Sequence, residues 1–308
     1  MIVVVAPGQG SQTPGFLAPW LELEGARERL EAYAHASGVD LVAAGTEWDA
    51  DAIRDTSVAQ PLIVAASALA WGALTAGGRL PAGVAGHSVG EIAALIAAGV
   101  LDELDGMRLV GVRGRAMAEA AELEPTGMSA VLGGETDEVV ARLEALDLTP
   151  ANHNGGGQIV AAGALPALAA LADEPPAGAR VIPLQVAGAF HTRYMAPAVE
   201  VLRAQAEALP SNDPALRLWT NRDGSVVTSG AQALDLLVGQ VASPVRWDLC
   251  QVAFAEAGVT GIIELSPAGT LVGLARRSLK GVPTVAIKTP DDLEAARAMI
   301  DAAIDGEA

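Results

Sequence analysis

The amino-acid sequence predicts an α/β protein in which a small ferredoxin-like subdomain is inserted into a larger α/β subdomain. Apolar strand-like runs alternate with alanine- and leucine-rich helical runs, a pattern typical of a mostly parallel, buried sheet. Between residues 125 and 190 the order becomes strand, helix, strand, strand, helix, strand, which is the split βαββαβ unit. The 308 residues, 51% of them hydrophobic, are enough to build a full core.

The larger subdomain is predicted to begin with a buried strand. The run IVVVA has no basic segment before it and meets Pro7 and Gly8 directly, so it indicates a strand rather than a signal peptide. Pro61 is expected in the first turn of a buried helix, where its missing N–H is tolerated. In chain order the predicted elements are strand 2–6, helix 61–74, strand 83–87, helix 92–100, strand 259–265 and helix 270–279.

The inserted subdomain is predicted from its own run of elements. Thr136 opens its first helix, and two acidic residues follow where the helix N-terminus favours negative charge. The predicted strands are MSAVLGG, LTPANHN, GQIVAAG and ARVIPLQVA, and the predicted helices are TDEVVARLEAL and LPALAALADE. We therefore expect a large subdomain from residues 1–124 and 191–308 and a small one from residues 125–190.

Charge and cysteine content exclude some classes of function. The net charge is −18, from 37 acidic and 19 basic residues, so the basic stripe that nucleic-acid binding needs is not expected. Cys250, the single cysteine, cannot form an internal disulfide, which favours a reducing compartment; we expect the cytoplasm. No run of about 18 uninterrupted apolar residues occurs, so we expect no membrane span.

The segment GHSVGE is the strongest local signal for chemistry. It places Ser88 in a G-x-S-x-G pattern after a predicted strand and before a predicted helix, the context of a nucleophile on a sharp turn. The helix N-terminus would stabilise negative charge near this serine. The pattern alone is weak in a glycine-rich chain, where a structural turn is the alternative.

A serine nucleophile needs a base, and four histidines are available. His35 is expected on the surface of a helix. His87 adjoins the serine but should point away from it and pack, and His153 is expected in a solvated loop. His191 follows a strand where the inserted subdomain rejoins the larger one, which is where a cleft should form.

Metal and nucleotide sites are weakly supported. His87 and Glu91 could share a helical face, but no H-E-x-x-H motif or Cys/His cluster accompanies them, so no metal is expected. PGQGSQ (7–12) is glycine-rich after the first strand, yet it lacks the G-K-[ST] ending of a phosphate loop and the dinucleotide spacing. We expect no cofactor.

Five motifs occur in a specific order: PGQGSQ, GHSVGE, VGVRGRAM (110–117), GAFHTRYM (188–195) and QVASPVRW (240–247). Together they resemble the malonyl-CoA:acyl-carrier-protein transacylases of fatty-acid synthesis and the acyltransferase domains of polyketide synthases. The resemblance covers nearly the whole chain. It implies an α/β-hydrolase-like large subdomain with a nucleophile elbow and a ferredoxin-like small subdomain.

The resemblance also implies a role for each matching residue. Ser88 would carry the malonyl group as an ester, and His191 would be its base, oriented by the backbone carbonyl of Gln240 rather than by an acid. Backbone N–H groups of Gln9 and Val89 would bind the oxyanion. The residue implied to bind the malonyl carboxylate with a two-pronged guanidinium is Arg113, although spacing alone does not distinguish it from Arg115.

Specificity and partners follow from the same resemblance. Phe190, directly before the histidine, looks like the malonyl-type pocket residue, where methylmalonyl enzymes carry serine; the size difference would give modest discrimination. The expected partners are malonyl-CoA and a holo acyl carrier protein with its phosphopantetheine thiol. The carrier protein would serve fatty-acid or polyketide synthesis. We expect the chain to be a monomer. Because carrier proteins are acidic like this chain, we expect a local docking patch, with Arg193, Arg276 and Arg277 as candidates.

Two other classes of function compete with this interpretation. A serine esterase or thioesterase of the α/β-hydrolase class shares G-x-S-x-G, but it would normally place an H-G-G-G-like loop early and its histidine near the C-terminus, whereas His191 lies mid-chain. A non-enzymatic carrier-binding module with a decayed site has no reason to keep Ser88, His191 and Arg113 together.

Overall fold

The computed structural model describes residues 1–306 as an α/β fold with two sheets. The strands are β1 Ile2–Ala6, β2 Gly83–Gly86, β3 Thr126–Gly133, β4 Thr149–Gly155, β5 Gln158–Ala164, β6 Ala179–Pro183, β7 Arg217–Trp219, β8 Val226–Val227, β9 Val245–Arg246, β10 Gly261–Glu264 and β11 Thr284–Ala286. The helices are α1 Ala26–Ser37, α2 Leu41–Thr46, α3 Thr56–Thr75, α4 Gly90–Ala97, α5 Glu103–Glu122, α6 Thr136–Ala145, α7 Leu165–Asp173, α8 Ala196–Glu207, α9 Gly230–Gln240, α10 Trp247–Glu256, α11 Thr270–Ser278 and α12 Leu293–Asp305. Short 3₁₀ turns lie at Ala18–Glu22, Ala52–Arg54, Arg193–Met195 and Pro290–Asp292.

The larger sheet is mostly parallel and has the strand order β11-β10-β1-β2-β7-β8. Only the β7–β8 pair is antiparallel among its described pairings. Every residue of β1 and β2 is buried, as the uninterrupted apolar runs predict. Because β1 and β2 are adjacent and parallel, the loops that follow them meet at the carboxyl edge of the sheet, where α/β proteins bind their ligands.

The smaller sheet has the order β6-β3-β5-β4-β9. Strands β3 to β6 pair antiparallel in the ferredoxin-like order, and they lie within the segment predicted to form the small subdomain. The fifth strand, β9, comes from the later part of the chain and pairs parallel with β4. A two-residue strand carries no periodicity, so the sequence does not predict it.

Helix α3 and the His153 segment differ from the sequence-based expectation. The helix begins at Thr56, not at Pro61, because the Asp55 carboxylate accepts a hydrogen bond from the Ser57 backbone N–H at 2.8 Å and caps it there. Pro61 therefore lies inside the helix, where it lacks one backbone donor. His153 was expected in a solvated loop and is instead part of β4, paired with both neighbouring strands and half-buried.

Helix α3 is long and apolar enough to cross a membrane by length and composition alone. Within the described fold, 72% of its most apolar window is buried, which is the environment of a core helix. It packs against α5, and this contact brings polar side chains from the two helices together beneath the cleft.

Candidate active site

The GHSVGE segment forms a sharp turn between β2 and α4, as its context predicts. Ser88 lies at the turn with a positive φ of 53°, a conformation that non-glycine residues rarely adopt. A Cβ on Gly86 would lie 2.0 Å from the Gly90 carbonyl carbon, and one on Gly90 would lie 2.3 Å from the Ala6 oxygen. Both glycines are therefore required by close backbone contacts that place the serine at the end of the strand.

His191 is the histidine that contacts the serine. Its Nε2 lies 2.7 Å from Ser88 Oγ, and its Nδ1 lies 2.8 Å from the backbone oxygen of Gln240. Because that carbonyl can only accept, Nδ1 carries the proton and Nε2 is free to accept one from the serine. The structure brings these three predicted residues together, and the group that orients His191 is a carbonyl.

The environment of His191 keeps its imidazole neutral. Burial lowers the pKa of His191 to about 3, and the charge of Arg113 acts in the same direction, while the hydrogen bond to Gln240 partly opposes them. Its backbone φ is 61°, so it shares the left-handed conformation of Ser88. A neutral imidazole next to the serine hydroxyl can act as a general base.

Arg113 is almost completely buried on α5. Its two terminal nitrogens donate to amide oxygens, Gln60 Oε1 at 2.6 Å and Gln240 Oε1 at 3.0 Å, and its Nε has no hydrogen-bond partner among residues 1–306. Burial lowers the pKa of Arg113 to about 10, so the guanidinium stays charged at neutral pH. The charge of Glu91 partly opposes this lowering, but the hydrogen bonds of Arg113 go only to neutral amides, so the buried cation can bind an anion.

Arg115 differs from Arg113 in its surroundings. It is exposed and donates to the Ser37 backbone oxygen at 2.8 Å. The structure thus separates two arginines that their spacing in the sequence could not, because only the position of α5 against α3 decides which side of the helix is buried.

A cleft of about 270 Å³ contains the serine and histidine. Gln9 and Val89 lie on its wall, and their backbone N–H groups donate to no other residue in the part of the chain that the structure describes. These two donors are available for an oxyanion. Phe190 is buried and lines the same cleft. The other apolar side chains of the cleft come from helices, strands and the segment after β6: Met117, Met128, Val160, Leu184, Val186, Leu271 and Leu274.

His35 and His87 make no hydrogen bond to Ser88, although His87 also lines the cleft. His35 is exposed on α1, as expected. His87 packs edge-on against Trp247, and its Nε2 lies 2.8 Å from Asn154 Oδ1. Glu91 points elsewhere, toward Gln240 and Asn221, and no group of three metal-ligating side chains occurs within residues 1–306.

Three buried polar residues next to the site were not singled out for these contacts from the sequence. Gln60 lies on α3 and holds Arg113; Glu91 lies on α4; Asn221 follows β7. Burial raises the pKa of Glu91 to about 7, although hydrogen bonds from Asn221 and Gln240 and the charge of Arg113 oppose the shift. A polar residue within an otherwise apolar helical run is the sequence signal that could have identified Gln60 and Glu91. Asn221 lies in no helix and carries no such signal.

Comparison with known proteins places this geometry in a family. The family model described as acyl transferase domain matches residues 3–298. The chain is 54% identical over 297 residues to the malonyl CoA-acyl carrier protein transacylase of Mycobacterium tuberculosis, covering 96% of this chain and 98% of the relative. It is 35% identical over 301 residues to the protein of the same name from Escherichia coli K12, covering 95% and 97%.

Solved structures give the same result. The crystal structure of MCAT from Mycobacterium tuberculosis matches with a TM-score of 0.94 at 54% identity, covering 96% of this chain and 99% of that one. A type II PKS acyl-carrier protein in complex with its malonyl-transacylase matches with a TM-score of 0.91 at 29% identity, covering 96% and 99%.

Proposed function

This chain belongs to the acyl transferase domain family, and among its members to the malonyl CoA-acyl carrier protein transacylases; on that premise we propose that it moves malonyl from coenzyme A to an acyl carrier protein through an ester on Ser88. The observation that carries the proposal is the buried Arg113, held only by amides next to a cleft that contains a serine–histidine pair. A fixed cation there selects an acyl group that ends in a carboxylate.

The first half-reaction forms the ester. The malonyl carboxylate pairs with Arg113, and Ser88 Oγ attacks the thioester carbonyl while His191 Nε2 takes its proton. The developing oxyanion accepts hydrogen bonds from the backbone N–H groups of Gln9 and Val89, each worth roughly 3 to 4 kcal/mol in comparable enzymes. The tetrahedral intermediate collapses, the C–S bond breaks, and coenzyme A leaves as its thiol with the proton from His191.

The second half-reaction reverses this order with a different thiol. The phosphopantetheine sulfur of the carrier protein attacks the ester carbonyl, and His191 takes the thiol proton. The C–O bond to Ser88 then breaks, and the proton returns to the serine oxygen. These steps involve only the chain's own residues and the two thiols, and we propose that no metal or other cofactor takes part.

Phe190 is proposed to favour malonyl over methylmalonyl. It is buried on the cleft wall with other apolar side chains, so an added methyl group would meet a filled surface. Such a difference changes binding by only about 1 to 3 kcal/mol, so the discrimination is modest.

The carrier protein is proposed to dock at the mouth of the cleft beside α11. Arg277 donates to Gln158 Oε1 at 3.1 Å, and Gln158 lines the cleft. Neither Arg276 nor Arg277 has a carboxylate partner among the described residues, whereas Arg193 already makes a two-pronged ion pair with Asp147. Arg276 and Arg277 are therefore the better candidates for carrier docking.

We further propose that the enzyme is a cytoplasmic monomer and that malonyl-CoA is its donor.

Replacing Arg113 tests the proposed function. In Arg113→Ala, kcat/KM for malonyl-CoA should fall at least about 10- to 100-fold, because a charge-assisted hydrogen bond contributes about 1.5 to 3 kcal/mol. Transfer from acetyl-CoA, which has no carboxylate, should change much less, and Arg113→Lys should be intermediate. Arg115→Ala on the same helix is the matched control and should leave both donors unchanged. Equal losses for malonyl-CoA and acetyl-CoA would overturn the proposal.

A further inference from the structure

Asn221, two residues after the end of β7, contacts the backbone of the nucleophile turn on both sides of His87. Its Oδ1 accepts the Ser88 backbone N–H at 2.7 Å, and its Nδ2 donates to the Gly86 backbone oxygen at 2.7 Å. We propose that Asn221 is a positioning residue for the nucleophile, which holds Ser88 in its left-handed conformation and directs its Oγ toward His191. This inference rests on the function proposed above for the same site.

The turn needs such a partner because its backbone groups lie between β2 and α4 and cannot form the hydrogen bonds of either element. Strand β2 ends at Gly86 and helix α4 begins at Gly90, so the Ser88 N–H has no place in the sheet or in the helix. A buried N–H without a partner is costly, and a non-glycine residue with positive φ adds strain. Asn221 satisfies the Ser88 N–H from outside and leaves the next N–H, that of Val89, available to an oxyanion.

Asn221 is itself fixed in one orientation. It is fully buried, its backbone N–H donates to Glu91 Oε1 at 2.6 Å, and its Oδ1 also accepts from Gln240 Nε2 at 3.2 Å. A flipped side-chain amide would set Nδ2 against the Ser88 N–H and Oδ1 against the Gly86 carbonyl, losing both hydrogen bonds to the turn. The side-chain amide of Asn221 therefore makes two fixed hydrogen bonds to the turn, to the Ser88 N–H and to the Gly86 oxygen. We call this pair of hydrogen bonds the bracket.

The bracket is tested with Asn221→Ala and a matched buried variant. Ser67→Ala removes one buried side-chain donor, to the Ser266 backbone oxygen, away from the cleft lining. In Asn221→Ala the rate of Ser88 acylation should fall about 100-fold for malonyl-CoA and acetyl-CoA alike, the effect expected of a displacement of about 1 Å. The KM for malonyl-CoA should stay within about threefold, because Asn221 makes no hydrogen bond to Arg113, and Gln240, which contacts both, keeps its hydrogen bond to Glu91. Ser67→Ala should keep both rates.

Asn221→Asp gives a second test, the pH dependence of the acylation rate, which would not change if Asn221 only stabilised the fold. When protonated, the introduced carboxyl can both donate to the Gly86 oxygen and accept from Ser88; when ionised, it cannot donate. Glu91 and Cys250 contact Asn221 through their side chains, and the Arg246 backbone N–H donates to the Asn221 backbone oxygen at 2.7 Å. The negative charge of Glu91 opposes ionisation of the introduced carboxyl. The acylation rate of this variant should therefore rise as pH falls, whereas the wild-type rate should not.

Two outcomes would overturn the inference. One is an acylation rate of Asn221→Ala equal to that of Ser67→Ala; the other is an Asn221→Asp rate with the pH dependence of the wild type. Labelling of Ser88 by phenylmethylsulfonyl fluoride, which does not need Arg113, should slow in parallel with acylation. If the wild type reacts with this reagent but not with malonyl-CoA, the proposed function fails while the bracket can still be judged.

Discussion

Ser88 and His191 are both held in the left-handed region of backbone conformation. Among the described residues, the other non-glycine positions with positive φ are Asp147 and Ala268. Such conformations cost about 1 to 3 kcal/mol each and persist only where the surroundings enforce them. Both residues of the proposed dyad have this backbone strain, as expected where side-chain geometry is maintained at a cost in stability.

The low pKa of His191 makes a prediction about pH. Because the base is active when neutral and its pKa is lowered to about 3, kcat/KM for malonyl-CoA should show no acid limb near the ordinary histidine value of about 6.5. The measurement is a pH–rate profile of Ser88 acylation.

Glu91 provides the control for that profile. Its pKa is raised to about 7, so a limb near neutrality could come from its protonation, and such a limb should vanish in Glu91→Gln. A limb near pH 6.5 that persists in this variant would mean that His191 titrates normally, contrary to the geometry described above.

The sequence predicted part of this site at the level of residues. Ser88 was marked by its own motif, and His191 by its place at the subdomain junction. Asn221 could not be found in this way, because it lies 133 positions from the serine that it holds, and no local pattern links a strand end to a distant turn. Gln60 stands out as a polar residue in an apolar helix, but its hydrogen bond to Arg113 follows only from the packing of α3 against α5.

At the scale of elements, the turn between β2 and α4 depends on two glycines. Replacing Gly86 by alanine places a Cβ 2.0 Å from a backbone carbon that cannot move independently. We expect Gly86→Ala to lower the free energy of unfolding by at least about 1 to 3 kcal/mol and to abolish acylation.

Gly273→Ala on α11 is the matched control for this prediction. A Cβ there meets nothing within 4 Å, so the substitution should be neutral or stabilise the protein by up to about 1 kcal/mol. Thermal unfolding of both variants measures the difference. Equal stability of the two would show that the turn tolerates a side chain.

The sequence predicted the types of the elements better than their ends. The uninterrupted apolar run of β1 identified a buried strand, and the βαββαβ order identified the ferredoxin-like unit. The predicted start of α3 at Pro61 is wrong, because the helix is capped by Asp55, more than one turn upstream of that proline. Strand β9 joins the small sheet through a tertiary pairing with β4 that no local pattern encodes.

At the scale of the whole molecule, the net charge of −18 opposes binding of an acidic carrier protein unless local charge compensates. Arg276 and Arg277, without carboxylate partners in residues 1–306, offer that compensation near the cleft. The double variant Arg276→Glu/Arg277→Glu should raise the KM for the carrier protein about three- to tenfold, since exposed charges contribute less than about 1 kcal/mol each.

A small thiol as acceptor separates docking from chemistry in this experiment. Transfer to the small thiol should be nearly unchanged in the double variant. Arg27→Glu, an exposed residue on α1 outside the cleft lining, reverses one charge elsewhere and should leave the carrier KM near the wild-type value. Equal loss with both acceptors would eliminate docking as the explanation.

The central claim is that Ser88 holds a malonyl group for a thiol and withholds it from water. Mass spectrometry of the intact protein after incubation with malonyl-CoA tests this most directly, with Ser88→Ala as control. We predict a mass increase of one malonyl group on the wild type only, stable in buffer and lost to a holo acyl carrier protein that gains the same mass. Rapid release of free malonate without any carrier, as in a hydrolase, or a wild type that never acquires the added mass, would contradict the claim.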